Sequence, residues 1–243
     1  MDYLCPKFKH KMQHRIYFGL LIILLFFLPS CQSDDPDTTN IQSDSTIYTD
    51  YFVRYMAEDN QLKGTASFLE GDTITNVSPL KFEGGVSFHG SGMEMKNIQN
   101  KVFRYVQARK ADYADSFKFH HKYKGKSIDY EISMSPIEDF YVKGDVSMTQ
   151  GMIIVVVGKA LNAGESYVFL VSDVKNKAVS YTVRGPESKL EFKFPTTELA
   201  KLETGEGQLY IVKKQTKFSK DKENDIRAEI EYYSKPLTIE IKG

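Results

Sequence analysis

The chain has no tryptophan, two cysteines and five histidines in 243 residues, and its Lys/Arg and Asp/Glu counts cancel at 32 each. Each shortage removes a class of explanation. Lack of tryptophan excludes the Cys…Trp…Cys core of a true immunoglobulin domain. A sugar platform would then have to use the 15 tyrosines and 16 phenylalanines. Cys5 and Cys31 are too few for a disulfide framework or a cysteine-ligated metal. Balanced charge gives no basic footprint of the kind nucleic acid demands. One long apolar run occurs, Ile16 to Leu28, and it falls short of the about 20 residues a membrane-spanning helix needs.

That run follows a basic head (Lys7, Lys9, Lys11, Arg15) and ends in Leu28, Pro29, Ser30 and Cys31, after which Ser33, Asp34, Asp35 and Asp37 turn the chain acidic. Positive head, short apolar segment and small residue at the cut are the parts of a secretory signal. The stretch resembles the signal peptide of bacterial lipoproteins. In that family Leu28 takes the −3 position, Ser30 the −1 position, and Cys31 is the lipidated first residue of the mature chain. Pro29 departs from the usual −2 residue. Gln32 is not the aspartate that resembles an inner-membrane retention signal, and Ser33-Asp34-Asp35 is similar to acidic tags that export some lipoproteins to the cell surface. The resemblance implies an outer-membrane address, lipid-anchored and facing the cell surface, with palmitate-type acyl chains on Cys31. Each buried methylene contributes about 0.8 kcal/mol, so one chain holds marginally and two hold firmly. With Cys5 removed and Cys31 acylated, no thiol is left for a disulfide or a nucleophile.

Residues 32–46 are rich in Asp, Ser, Thr and Asn with almost nothing to bury, which predicts a flexible tether. From Ile47 onward short runs of Tyr, Phe, Val, Ile and Thr alternate with polar residues and break at Gly, Pro, Asn and Asp, the mark of strands. Strands are expected at 47–56, 61–70, 79–89, 101–108, 115–123 and 127–134. Others are expected at 140–149, 152–160, 165–174, 178–184, 189–194, 208–219, 226–234 and 237–242. Met152 to Val157 is apolar throughout, as in a strand buried on both faces. One helix is expected, Thr196 to Leu202, capped by Thr196 or Thr197. The lysines at 213, 214, 217, 220 and 222 are expected to guard an edge strand.

Many short strands with regular turn signals predict an all-β chain of two antiparallel β-sandwich, Ig-like domains. The expected divisions are a signal peptide (1–30), a lipidated tether (31–46), sandwich one (47–135) and sandwich two (136–243), with the break at Ser135-Pro136. A single larger sandwich is the alternative.

Candidate chemistry is sparse. Gly85, Ser87 and His89 imitate a nucleophile elbow, but His89 stands where the second glycine belongs; Gly90 and Gly92 imitate a dinucleotide loop, but Met95 takes the third place. The segment reads as a strand ending in a tight turn. His120 and His121 are adjacent on a strand, so they point to opposite faces and cannot chelate one ion. Glu70, Asp72, Asp112, Asp115, Glu138 and Asp139 fall near expected turns. On 117–126, Lys118, His120 and Lys122 share one face; with Arg104 from a neighbouring strand they form a candidate patch for anionic ligands. No catalytic residue, metal or cofactor is expected. The expected function is a non-enzymatic binding, adhesion or scaffold module. A glycan-binding accessory lipoprotein is the alternative, and a hydrolase on a β-scaffold the least favoured. Expected partners are the membrane, through the acyl chains, and another envelope protein or a glycan, with no nucleic acid.

Overall fold

Alternation of apolar and polar residues becomes strand in the computed structural model, which describes residues 45–220 and 223–243. The first half holds β1 (Thr46–Met56), β2 (Gln61–Thr73), β3 (Asn76–Pro79), β4 (Val86–Phe88), β5 (Ser91–Gly92), β6 (Glu94–Ile98) and β7 (Val102–Lys110). It ends with the hairpin β8 (Phe117–Tyr123) and β9 (Lys126–Ile132). The second half holds β10 (Ile137–Ser147), β11 (Gly151–Gly158), β12 (Glu165–Ser172), β13 (Ala178–Arg184) and β14 (Glu191–Phe194). A single helical turn, α1 (Thr196–Leu199), precedes β15 (Gly205–Lys220), β16 (Asn224–Tyr233) and β17 (Leu237–Lys242). The signal peptide, Cys31 and most of the expected tether lie outside the described residues.

These strands build two sandwiches, as the composition predicts. In the first, β16-β1-β2-β7-β6 covers the small sheet β5-β4-β8-β9. Tyr51 of β1 stacks on Phe119 of β8 at 4.5 Å, and Phe68 of β2 meets Phe82 edge-on at 4.6 Å. Gly64 is required between the layers, because a Cβ there would lie 2.6 Å from the Phe88 ring. In the second, β10-β11-β14 faces β17-β15-β12-β13, the layer split of an immunoglobulin-type sandwich. Phe169 of β12 and Phe192 of β14 meet across it at 5.3 Å.

One hairpin belongs to both sandwiches. β15 pairs with β17 over Gly205–Leu209 and with β16 over Val212–Lys220. β16 then runs parallel to β1 from Asn224↔Ile47 to Tyr233↔Met56, and sets Ala228 and Ile230, both at 0% exposure, into the first core. Parallel neighbours need a long crossover; here the crossover contains most of the second sandwich. A second parallel ladder, Val146↔Ile241 and Ser147↔Lys242, joins β10 to β17. These two ladders are the exceptions to the antiparallel expectation.

The chain therefore crosses between cores three times, at Ser135-Pro136, along β15, and at Ser234–Pro236, rather than once at Ser135-Pro136. At the third crossing the Ser234 N–H donates to Ile211 O (2.9 Å), and Ser234 Oγ accepts from the Ile211 N–H (2.9 Å). Ser234 thus satisfies the backbone of β15 where its partner changes from β16 to β17. Beside it lies Lys213, with a fully buried side chain. Its Nζ donates to Ser135 Oγ (3.1 Å), lies 3.7 Å from Glu165 Oε2, and sits 5.9 Å from the Tyr167 ring centre. Burial lowers the Lys213 pKa, and Glu165 offsets part of that.

Other expectations are corrected. β15 is interior only as far as Gln215, where β12 ends beside it, so Lys213 and Lys214 do not guard an edge: Lys213 is buried and Lys214 pairs with Glu231 at 2.8 Å. Beyond Thr216 only β16 lies beside β15, and there Lys217 and Lys220 do stand on an edge, Lys220 3.7 Å from Asp225. Lys222 lies outside the described residues. Met152 to Val157 is not buried on both faces; burial alternates, and Val157 is 39% exposed. The outer face of β11 is flanked instead by the Lys143–Glu191 ion pair (3.2 Å), whose partners stand in register with Ile153 and Val155. The cap of α1 is Pro195, with no side-chain cap bond. The expected strand 79–89 divides into β3 and β4.

Two outcomes follow from the shared hairpin. A fragment ending at Ser135 keeps β1–β9 but loses Ala228, Ile230 and the partner of β1, and should show no cooperative thermal transition; a sharply melting fragment would contradict this. Lys213→Ala leaves Glu165 buried without its cation and should cost about 3–5 kcal/mol in urea denaturation, whereas Lys213→Met combined with Glu165→Gln should cost far less.

Candidate functional site

The outer face of the large sheet is charged, and its charges are distributed unevenly. On β15, β16 and β1 acids meet bases. Arg54 bonds Glu231 at 2.8 Å, and Lys214 lies 2.8 Å from Glu231 and 3.6 Å from Glu229. Arg227 reaches Glu229 at 2.6 Å and Asp50 at 2.9 Å. Burial alone would raise the Glu231 pKa, but hydrogen bonds from Lys214, Arg54 and Tyr233 outweigh it and hold the carboxyl below its ordinary range.

On β2, β7 and β6 the balance ends. Register places Asp50, Ser67, Arg104 and Lys96 side by side in one row, and Phe52, Thr65 and Val106 in the next. Lys63 stands one row further along β2, opposite Arg54 and Ala108. Together with Ile98 they line an open cleft of about 420 Å³. Among the described residues no carboxylate lies within ion-pair distance of Arg104 or Lys63, and Lys96 has only Glu94 of its own strand, at 3.6 Å. Asp50, the acid of the cleft, is occupied by Arg227. Three cations over an aromatic and hydroxyl-bearing floor can take up negative charge and ring-shaped apolar surface together.

The patch expected from Arg104, Lys118, His120 and Lys122 is divided. Tyr105 and Phe119 are buried in one core, so Arg104 on β7 and Lys118, His120 and Lys122 on β8 project from opposite outer faces of the sandwich. Acids flank the β8 group: Lys118 lies 3.3 Å from Glu131 and His120 Nδ1 2.8 Å from Asp129. Lys122 stands in register with Ser127. Arg104 instead joins Lys63 and Lys96, which sequence reasoning missed. The signal was present for Lys63: Leu62, Gly64, Ala66 and Phe68 alternate inward, so Lys63 must point out. Lys96 sits on a strand whose residues are all exposed, with no alternation to show it.

Register also lines up Ser87, His120 and Asp129 across β4, β8 and β9. No hydrogen bond joins Ser87 to His120, and the His120–Asp129 pair lies on an open face at 41% and 77% exposure. The Gly90 turn is as expected, with His89 at φ 51° and Gly90 at φ 78° between β4 and β5. Glu70 accepts hydrogen bonds from Tyr123 and Ser45, which lower its pKa. No cluster of metal-ligating side chains occurs among the described residues, and no helix there is long and apolar enough to cross a membrane.

A second open groove of about 400 Å³ lies where β10 and β17 diverge, between Tyr141, Val142 and Gly144 on one side and Leu237, Thr238 and Ile239 on the other.

No protein-family model matches the chain, and no curated protein matches it. Among solved structures it is similar to the tetra-tandem repeat in the extending region of a large adhesion protein, with 11% identity and a TM-score of 0.25. That match covers 80% of this chain and spans 50% of the other.

His121 gives the first sandwich a pH response. It is 4% exposed, its Nδ1 has no hydrogen-bond partner, and the Phe68 and Phe82 rings lie 4.9 and 4.4 Å away. Burial, with smaller help from His120, lowers its pKa to about 4. The unfolded chain takes up that proton below about pH 6.5 while the folded chain does not, so stability falls as pH drops from there towards 4, by about 3 kcal/mol in total. His121→Phe should shrink the stability difference between pH 7 and pH 5 by about 2 kcal/mol in urea titrations; an unchanged difference would show that His121 is not the group responsible.

Proposed function

We propose that the chain is a lipid-anchored, non-enzymatic binding and scaffold module of the cell envelope, held at the outer membrane through acyl chains on Cys31 and facing outward. The observation that carries this reading is the shared β15–β16 hairpin. It joins both cores through one hydrogen-bonded sheet, so a ligand or partner held on one sandwich is mechanically tied to the other. Such a body suits display at a distance from a lipid surface, and the leader supplies the means of attachment. Adhesion to another envelope protein is one use of that body. The cleft of Lys63, Lys96 and Arg104 favours a second, accessory capture of a glycan. A hydrolase is favoured less, because the Ser87, His120, Asp129 row lies on an open face without a joined nucleophile and base.

The anchor is tested by fractionating cells that express the full chain. Cys31→Ala should move the protein from the membrane pellet to the soluble fraction, and the wild-type N-terminus should carry acyl mass on Cys31. Retention of the variant in the pellet would reject the lipid anchor.

A further inference from the structure

We propose that the cleft over β2, β7 and β6 binds an extended acidic polysaccharide, its carboxylate or sulfate groups held at two cationic poles, Arg104 with Lys96 at one and Lys63 at the other. This deepens the binding-module reading and rests on it.

The distance between the poles argues for a polymer. Ser67, which stands opposite Arg104, is four residues from Lys63 along β2, and strands rise about 3.3 Å per residue, so the backbones that carry the poles are roughly 13 Å apart. One phosphate or carboxylate could touch both only by drawing the two long side chains together, at a cost in side-chain freedom. A chain with acid groups on successive units meets each cation without that cost.

The surface between the poles selects the backbone of that polymer. Phe52, Thr65 and Val106 form a single cross-strand row there, which Glu94 of β6 completes. The Arg54 guanidinium lies 5.1 Å from the Phe52 ring centre, and the rest of the row offers methyl and ring-edge surface to the apolar faces of sugar rings. The hydroxyls of Thr65 and Ser67 lie within the same cleft and match sugar hydroxyls as donors and acceptors. An acidic polypeptide fits less well. Extended peptides gain affinity by adding to a sheet edge, but β1, β2 and β7, which carry the floor between the poles, each have a neighbour on both sides, so there a peptide meets only side chains; β6, last in the sheet order, is the cleft strand with an open edge.

Charge supplies the rest of the selectivity. The β8 face carries Lys118 and His120 beside Glu131 and Asp129, whereas among the described residues no carboxylate lies within ion-pair distance of Arg104 or Lys63. A polyanion approaching the sandwich therefore meets two unpaired cations together at the cleft, whereas on the opposite layer Lys118 and His120 stand beside acids and Lys122, in register with Ser127, stands apart from them. Binding held by exposed cations weakens as salt shortens the screening length.

The test uses the full chain in detergent micelles and measures retardation by polygalacturonate, dextran sulfate, uncharged dextran and polyglutamate. Both acidic polysaccharides should retard the protein, uncharged dextran should not, and polyglutamate should act at least about tenfold more weakly. Arg104→Ala with Lys63→Ala should weaken polygalacturonate binding by about tenfold or more, while Lys118→Ala with Lys122→Ala should leave it unchanged. All four positions are exposed or partly exposed, so matching thermal unfolding will verify that the variants are folded. Absence of retardation by either acidic polysaccharide overturns the proposal. Equal retardation by polyglutamate, or loss on changing Lys118 and Lys122 alone, overturns it as well. The anchor stands apart from these outcomes. A protein that ignores polysaccharide yet leaves the membrane only as Cys31→Ala removes the cleft proposal alone, and one that binds polysaccharide but stays in the pellet as Cys31→Ala removes the anchor alone.

Discussion

The hairpin of β15 and β16 is the constraint on which the molecule turns. A sheet edge such as that of β1 presents a row of unpaired N–H and C=O groups, which cost free energy if buried and invite foreign strands if exposed. This chain covers that edge with β16, a strand that follows all but the last strand of the second sandwich in sequence. The ladder runs for ten register pairs, from Ile47↔Asn224 to Met56↔Tyr233. It brings Ala228 and Ile230 into a core otherwise made by residues before Ser135. The first sandwich is thus completed by sequence that belongs, by position, to the second. Contacts separated by 177 residues, such as Arg54–Glu231, must form before β1 is fully paired, which makes folding of the first half depend on the second.

Making one strand serve two cores creates a junction whose polar groups need partners. Ile211 finds both of its partners in Ser234, and Tyr113 donates its hydroxyl to Met134 O at 2.7 Å. Lys213 is the expensive member. A buried ammonium is tolerated only when paired and hydrogen-bonded, and here Glu165 and Ser135 supply those contacts. Glu165 is itself held by the Asn162 N–H at 2.7 Å and by the Gln215 amide at 3.4 Å. Each of these residues lies on or beside a segment that crosses between the sandwiches. An apolar residue in place of Lys213 would fill the space as well; what the ion pair adds is registry, since a shift of β15 by one residue would turn Lys213 outward and leave Glu165 unpaired.

Strand existence was legible in the sequence because burial on one face forces a period of two, as in Leu237-Thr-Ile239-Glu-Ile241. The opposite faces of His120 and His121 followed from the same period, and the tight turn after Phe88 from its glycines. What could not be read is which strands become neighbours. All the lysines of β15 look like edge protection, and Lys217 and Lys220, beyond the end of β12, are; but Lys213 and Lys214 lie between β12 and β16, one a core residue and the other a cross-strand partner of Glu231. Met152 to Val157 misled for a related reason. Its apolar outer residues are flanked by an ion pair whose members, Lys143 and Glu191, lie 48 positions apart. The candidate site shows the same limit. Arg104 was identified, but it was joined to Lys118 and Lys122 because β7 and β8 are close in sequence, although they belong to opposite layers.

Strand order also explains why the uncompensated cations are where they are. The donated strand β16 carries Asp225, Glu229 and Glu231 on the outer face, and these acids neutralise Lys220, Lys214 and Arg54 on the strands beside it and Arg227 on β16 itself. Their reach ends at β1, since a side chain spans about one interstrand spacing of 4.7–4.9 Å, or two at most. Beyond β1 the sheet continues through β2, β7 and β6 with Thr65, Ser67 and Val106 but little acid, so Lys63 and Arg104 keep their charge exposed to solvent. The hairpin that completes the first core therefore also sets the electrostatic gradient across its outer face, balanced at the shared edge and positive at the far one. Any variant that shifts or removes β16 should alter the cleft's potential without touching a residue that lines it, which ties the binding face to the integrity of the junction.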